Sequence, residues 1–147
     1  SEILYDQQND IVDKLLRIKE LNNNLEKCQI EKNDLFINYV KDIIEVIDTF
    51  EKAEEIINER GLNQQEESKK VINRYTTIQK RLFKILQKRG VSQLQFPENK
   101  LIIGFCDVVE TEPNPDLEND TIIKVVRNGY IHGKELIREA EVIIVKN

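Results

Sequence analysis

Few residues of this sequence have the types and the spacing that catalysis or metal binding requires. The single histidine, His132, stands beside Gly133 in a predicted turn, with no second metal ligand at a suitable spacing. The two cysteines, Cys28 and Cys106, lie far apart and form no CxxC pair. The chain also contains no glycine-rich phosphate-binding motif. We therefore expect no catalytic residue, no metal, no cofactor and no enzymatic activity.

Composition and charge limit the class of protein further. Apolar residues make up 39% of the 147 residues and charged residues 33%, against roughly 45–50% and about 25% in ordinary globular domains. This balance favours long helices with narrow apolar stripes that another chain completes. The net charge is −5 and no part is basic, so we expect no nucleic-acid partner.

The same composition predicts where the protein acts. No apolar run approaches the ~20 residues that cross a bilayer, so we expect no membrane association. The acidic N-terminal residues have no basic signal or transit character. Two cysteines without a disulfide framework are typical of a reducing compartment. We therefore expect a cytoplasmic protein.

The first 60 residues predict one long helix, because no glycine or proline interrupts them. From Leu4 to Leu35 the apolar residues recur at heptad spacing, which predicts a coiled coil with a partner chain. From Phe36 to about Asn58 the apolar stripe broadens, as in the helices of a bundle. Gly61 is the predicted end of this helix.

A second helix is predicted from about Glu66 to Arg89, and Gly90 is its stop. The short polar connector between the two helices predicts an antiparallel hairpin. The apolar period then changes to that of strands at 101–109, 121–127 and 141–146, with a loop at 110–120. Tight turns are predicted at Asn128-Gly129 and His132-Gly133.

These elements predict an α+β fold with a domain boundary near residue 90. Residues 1–89 are expected to form a long helix and a helical hairpin, and residues 90–147 a compact all-β domain.

The segment Thr121–Lys146 resembles the closing signature of the GrpE family, the nucleotide exchange factors of DnaK-type chaperones. The matching elements are a Thr-Ile-Ile-x-Val start, Gly129-Tyr130, Gly133-Lys134, Leu136-Ile137-Arg138, Ala140 and a branched final strand. Residues 44–53 are similar to the family's "LLPVLDNLERA" helix, and Leu86–Val91 resembles its "L..HGV" helix ending. The resemblance covers roughly Tyr39 to Lys146.

The resemblance implies a homodimer in which two helical hairpins form a four-helix bundle, and a β domain that binds the ATPase domain of a DnaK-type chaperone and accelerates ADP release. It implies chaperone-facing positions at Val126, Lys134, Arg138 and Ile144, with Gly129 and Tyr130 shaping the turn beneath them. The expected dimer interface consists of apolar bundle positions: Phe36, Val40, Ile43, Ile47, Phe50, Tyr75, Ile78, Leu82 and Leu86.

An alternative function remains open. The "FENYRKR"-type segment of the family's long helix is reduced here to Asn38-Tyr39, and the "F(D/N)P..H" motif to Phe96-Pro97. A non-catalytic coiled-coil scaffold or adaptor, whose β domain docks on another protein, would share the same architecture without the exchange activity.

Overall fold

A computed structural model describes all residues from 1 to 147. Helix α1 runs without interruption from Glu2 to Glu59, and helix α2 runs from Glu66 to Lys88. Gly61 follows α1 in the left-handed region, at φ 64°, where glycine has no steric penalty. The predicted single long helix and its glycine stop are therefore confirmed.

The contacts within the chain divide it into two compact units, Ser1–Tyr39 and Val40–Asn147. The first unit is helical and buries none of its side chains. Its predicted heptad residues are all more than half exposed: Leu4, Ile11, Ile18, Leu21, Leu25 and Leu35.

The second unit begins with an antiparallel pairing of the rest of α1 with α2. A short 3-10 turn at Leu62–Gln64 connects the two helices. The rings of Phe50 and Tyr75 lie 4.4 Å apart between centroids, inclined at 54°, within the range of favourable aromatic pairs. The predicted helical hairpin is therefore present in the single chain.

Six strands follow α2. They are β1 Val91–Gln93, β2 Cys106–Glu112, β3 Ile122–Arg127, β4 Tyr130–His132, β5 Glu135–Arg138 and β6 Ala140–Val145. One sheet has the order β1-β4-β5 and is antiparallel throughout. The other has the order β2-β6-β3, with β2 parallel and β3 antiparallel to β6. The α+β fold, with two long helices and a C-terminal β region, is confirmed.

The second sheet has its own apolar core. Ile122, Ala140, Val142 and Ile144 are buried together, and partly buried side chains pack against them: Phe96, Leu101, Cys106 and Val125. Strand β6 supplies three of the four buried residues because it is the central strand. Alternation along β6 therefore places Ala140, Val142 and Ile144 on one face.

Two local predictions were wrong, and three short strands were not predicted. The strand predicted at 101–109 begins only at Cys106 and extends to Glu112, because Gly104, at φ 88°, lies in a turn just before it. Asn128-Gly129 is not a tight hairpin turn, because it joins β3 and β4, which belong to different sheets. Strands β1, β4 and β5 had no pattern of their own, because three or four residues are too few to show a period.

Candidate functional site

One row of side chains crosses the first sheet from strand to strand. Gln93 on β1 is the register partner of Tyr130 on β4, and Tyr130 is the partner of Arg138 on β5. Because directly opposed residues share a face of a sheet, the three side chains point the same way. The guanidinium carbon of Arg138 lies 5.4 Å from the centroid of the Tyr130 ring, which is cation–π distance.

Helix α1 presents two carboxylates to this row. Asp48 and Glu51 are three positions apart, so they lie on one helix face. Arg138 donates two hydrogen bonds to Asp48, from Nη1 to Oδ2 at 2.6 Å and from Nη2 to Oδ1 at 2.8 Å. This is the bidentate geometry that a planar guanidinium provides and an ammonium does not. Side-chain exposure is only 16% for Arg138 and 22% for Asp48.

The segment between β3 and β4 closes the same cluster. Arg138 also donates from Nε and Nη2 to the carbonyl oxygen of Asn128, at 3.1 and 2.6 Å. The Asn128 side chain in turn donates to both Glu51 oxygens at 3.1 Å. Arg127 forms two ion pairs, from Nε to Asp48 Oδ2 at 3.3 Å and from Nη1 to Glu141 Oε1 at 3.8 Å. We call Asp48, Glu51, Gln93, Arg127, Asn128, Tyr130 and Arg138 the junction cluster.

Two weaker hydrogen bonds complete the junction cluster. The Gln93 amide nitrogen donates to Glu51 Oε1 at 3.5 Å and to the Tyr130 hydroxyl at 3.4 Å. No buried side-chain nitrogen or oxygen of the chain lacks a partner. A buried polar group without a hydrogen-bond partner would destabilise the fold. A fully hydrogen-bonded cluster of this kind is typical of a contact that holds two parts of a protein together.

The ionisable groups of the cluster have shifted pKa values. Burial opposes the charged form of Asp48, but the hydrogen bonds and charges of Arg138 and Arg127 outweigh it, so the pKa of Asp48 is lowered. For Glu51 burial is the largest influence and the Asp48 charge adds to it, so its pKa is raised despite the Asn128 hydrogen bond. Burial, then the Glu51 charge, raises the pKa of Tyr130 to about 12.

Gly129 allows the cluster to close. A Cβ atom there would lie 2.6 Å from the backbone nitrogen of Ala140, 2.9 Å from the carbonyl oxygen of Arg138 and 2.5 Å from the Leu94 side chain. The φ angle of Gly129 is not in the left-handed region. The reason for a glycine here is therefore the lack of space for a Cβ atom. Glycine is required because two backbone segments meet there.

The residues predicted to face a chaperone occupy different environments. Val126 on β3 is 47% exposed, and Lys134 is exposed in the β4–β5 turn. Ile144, at 5% exposure, belongs to the core of the second sheet, and Tyr130 is buried. The guanidinium group of Arg138 is paired with the carboxylate of Asp48. Of the predicted set, Val126 and Lys134 thus have exposed side chains, whereas Tyr130 and Ile144 are buried and Arg138 is hydrogen-bonded to Asp48.

Val126 lies on a groove with a volume of about 660 Å³ between α1 and the strands. The α1 side of this groove carries Glu54, Glu55 and Asn58, and the strand side carries Val125 to Asn128. Asp48 and Glu51 of α1 also line it. The groove is therefore a composite surface whose two walls are joined by the junction cluster.

The predicted dimer positions differ in exposure. Val40, Ile47 and Leu86 are buried by the chain itself, and Ile78 is 53% exposed. The remaining members are partly exposed: Phe36, Ile43, Phe50, Tyr75 and Leu82. Ile78 belongs to a stripe on α2, with Val71 and Ile85 seven positions away on either side, and all three are about half or more exposed.

Five members of the junction cluster were not predicted as site residues. Asp48 and Glu51 lie in the 44–53 segment that is similar to the family's helix, but they were assigned no role of their own. Asn128 was assigned only to a turn, and Gln93 and Arg127 were assigned no role. One available signal was that Asp48 and Glu51 sit on a helix beside residues of an apolar stripe, Ile44 and Ile47. No group of three or more potential metal-binding side chains is present. None of the helices combines the length and apolar character that a membrane span needs.

Fold and site define an α+β protein in which a helical hairpin carries a small β unit, held to α1 by ionic and amide contacts. The family model for GrpE matches residues 3–146. The chain belongs to the GrpE family.

Curated relatives agree with this assignment. A protein named "Protein GrpE" from Francisella tularensis subsp. novicida is 32% identical over 125 residues, which cover 85% of this chain and 58% of the relative. Relatives of the same name from Brucella melitensis and Prosthecochloris aestuarii are both 26% identical. Those matches cover 98% and 74% of this chain, and 66% and 52% of the relatives. The chain thus spans about half to two thirds of the length of these relatives.

Proposed function

We propose that this protein is a nucleotide exchange factor of the GrpE type, a co-chaperone that binds the ATPase domain of a DnaK-type chaperone and accelerates ADP release. The observation that carries the proposal is a β unit fixed to a helical hairpin, with Val126 and Lys134 on its exposed surface, in a chain of the GrpE family. Such an activity breaks no bond in the protein's partner, so it needs no catalytic residue, and we propose that the protein is not an enzyme.

The mechanism follows from linkage between two binding equilibria. A protein that binds the open, nucleotide-poor form of an ATPase domain more tightly than the closed form must weaken nucleotide affinity by the same factor. A shift of about 10⁴-fold corresponds to roughly 5.5 kcal/mol of differential binding. Only a surface of fixed shape discriminates between two forms to this extent, because a flexible one adapts to both.

We propose that Val126 and Lys134 contact the chaperone directly. The other predicted positions, Gly129, Tyr130, Arg138 and Ile144, would hold that surface in shape. Val126 supplies apolar area beside the groove, and Lys134 supplies a cation at a turn, where it reaches a partner without desolvating the β core.

We further propose that the protein acts as a homodimer. The heptad residues of Ser1–Tyr39 are exposed in the single chain, and a lone helix of this polarity gains little stability without a partner. A parallel coiled coil would bury them. The stripe of Val71, Ile78 and Ile85 would pair with the same stripe of a second hairpin, giving a four-helix bundle. Residues 1–89 would then form the dimerisation region and residues 90–147 the chaperone-binding β domain.

Release of labelled ADP from the cognate DnaK-type ATPase domain tests the exchange activity. Wild-type protein is expected to accelerate release, and Val126→Asp and Lys134→Glu are expected to raise the concentration needed for half of the effect by about tenfold each, a loss typical of an interface anchor. Lys146→Glu makes the same charge change at another exposed site and should leave release unchanged. If both contact variants needed no more protein than wild type for half of the effect, the proposed surface would be refuted.

The alternative function, a scaffold or adaptor, predicts a different result in the same experiment. It would bind its partner through the β unit without changing the rate of ADP release. We favour the exchange function because the junction cluster ties the β unit to α1 by several hydrogen bonds, whereas a tethered adaptor does not require a fixed orientation.

A further inference from the structure

The β unit is linked covalently to the helices through one short segment. Helix α2 ends at Lys88 and strand β1 begins at Val91, so Arg89 and Gly90 alone connect them. Gly90 adopts φ 78°, and the nearest atoms to a Cβ placed there belong to the His132 ring, at 3.4 Å. A two-residue link with a glycine in the left-handed region does not by itself fix an orientation.

The junction cluster supplies the second attachment, on a different helix. Asp48 and Glu51 of α1 bind residues from β1, from β5 and from the β3–β4 segment. The strongest of these contacts is the bidentate Asp48–Arg138 pair, which spans 90 positions of sequence. Ile44 of α1 and Ile137 of β5 are both buried and line one cavity together with Arg138.

We infer that Asp48 and Arg138 are positioning residues for the proposed exchange activity: their pairing holds the β unit at a fixed angle on α1, so that Val126 and the Glu54–Asn58 wall of the groove meet the chaperone as one rigid surface. This inference rests on the proposed function. Asp48 and Arg138 act through the geometry of the groove and do not themselves need to touch the chaperone.

Rigidity matters because a partner shifts a conformational equilibrium only by its difference in affinity for the two states. A β unit that pivots about Gly90 can bind the closed and the open ATPase domain with nearly equal affinity. Such a β unit still binds the ATPase domain. It loses the difference in affinity between the open and the closed form, and that difference drives ADP release. Loosening the junction should thus lower the maximal release rate more than it changes the half-saturating concentration.

The kinetic test compares Asp48→Asn and Arg138→Lys with wild type. Arg138→Lys keeps the charge but loses the bidentate geometry. Both are expected to lower the maximal rate of ADP release by about tenfold and to change the half-saturating concentration by less than about threefold. Asp42→Asn removes a charge from an exposed position of the same helix and should match wild type. A raised half-saturating concentration with an unchanged maximal rate would overturn the inference, as would no change in either.

A structural measurement in the free protein keeps this inference distinct from the proposed function. Spin labels at Lys80→Cys on α2 and Glu139→Cys beside β6, in a Cys28→Ser/Cys106→Ser background diluted with unlabelled chain, report the hairpin-to-β distance. The distribution should be narrow in the parent and broader with Asp48→Asn, while β6 amides stay protected from hydrogen exchange. An equally narrow distribution would contradict the positioning role. Failure of wild-type protein to accelerate ADP release would instead contradict the proposed function.

Discussion

The Asp48–Arg138 pair should make a measurable contribution to the stability of the Val40–Asn147 unit. The perturbation is a double-mutant cycle of Asp48→Asn, Arg138→Gln and the double variant, which isolates the energy of the pair from other effects of each substitution. Both side chains are about four-fifths buried, and their two hydrogen bonds are 2.6 and 2.8 Å long.

The expected magnitude lies between two known limits. Fully exposed pairs contribute about 0.2–1 kcal/mol, and hydrogen bonds to charged groups contribute about 1.5–3 kcal/mol. Because the Asp48–Arg138 pair is bidentate and mostly buried, we expect a coupling energy of about 2 kcal/mol. For a unit of this size that corresponds to a loss of roughly 6–10 °C in melting temperature.

Urea unfolding, followed by circular dichroism at one fixed chain concentration, measures the four free energies of the cycle. The exposed Asp10–Lys14 pair, at 3.0 Å with both side chains more than half exposed, is the matched control and should give a coupling below about 0.5 kcal/mol. A coupling at Asp48–Arg138 no larger than that of the control would refute the argument that the junction is a rigid joint.

Three further predictions address the turn, the pH response and the dimer. Gly129→Ala should lower the free energy of unfolding by about 2–3 kcal/mol in chemical denaturation, because its Cβ would overlap the backbone of the Arg138–Ala140 segment; an unchanged midpoint would contradict this. Asp48 has a lowered pKa, so its stabilisation should be present above about pH 3.8, its ordinary value, and should be lost progressively as the pH falls from there through the lowered value. Unfolding at pH 7, 5 and 3 should show this loss in wild type and not in Asp48→Asn. Glu51 has a raised pKa, so protonation should add stability as the pH falls towards 4.5, and Glu51→Gln should abolish that gain. Ile78→Asp should convert the proposed dimer into a monomer at micromolar concentration in light scattering, and a dimer that survives it would exclude the α2 stripe as the interface.

The helices could be predicted from the sequence because their signals are local. The apolar period of α1, the absence of glycine and proline before Gly61, and the Arg89-Gly90 stop each depend on neighbouring residues. The expected end of α2 differs from the observed one by a single residue, within the usual fraying of helix ends.

The junction cluster could not be predicted, because its contacts join residues far apart in sequence. Asp48 and Arg138 are 90 positions apart, and Glu51 and Asn128 are 77 apart, so no local period marks them. The fragment Asn128-Gly129 resembled a hairpin turn, although the chain changes sheets there. The resemblance identified Arg138 as important, and the structure adds that its guanidinium is bound to α1.

Nucleotide release under turnover conditions is the measurement that tests the proposed exchange activity itself. A DnaK-type ATPase domain loaded with labelled ADP is mixed with a tenfold smaller amount of this protein and an excess of unlabelled nucleotide. We expect all of the label to be released at an accelerated rate, since each molecule of an exchange factor acts repeatedly. Binding to the ATPase domain with label release at the spontaneous rate would contradict the exchange function.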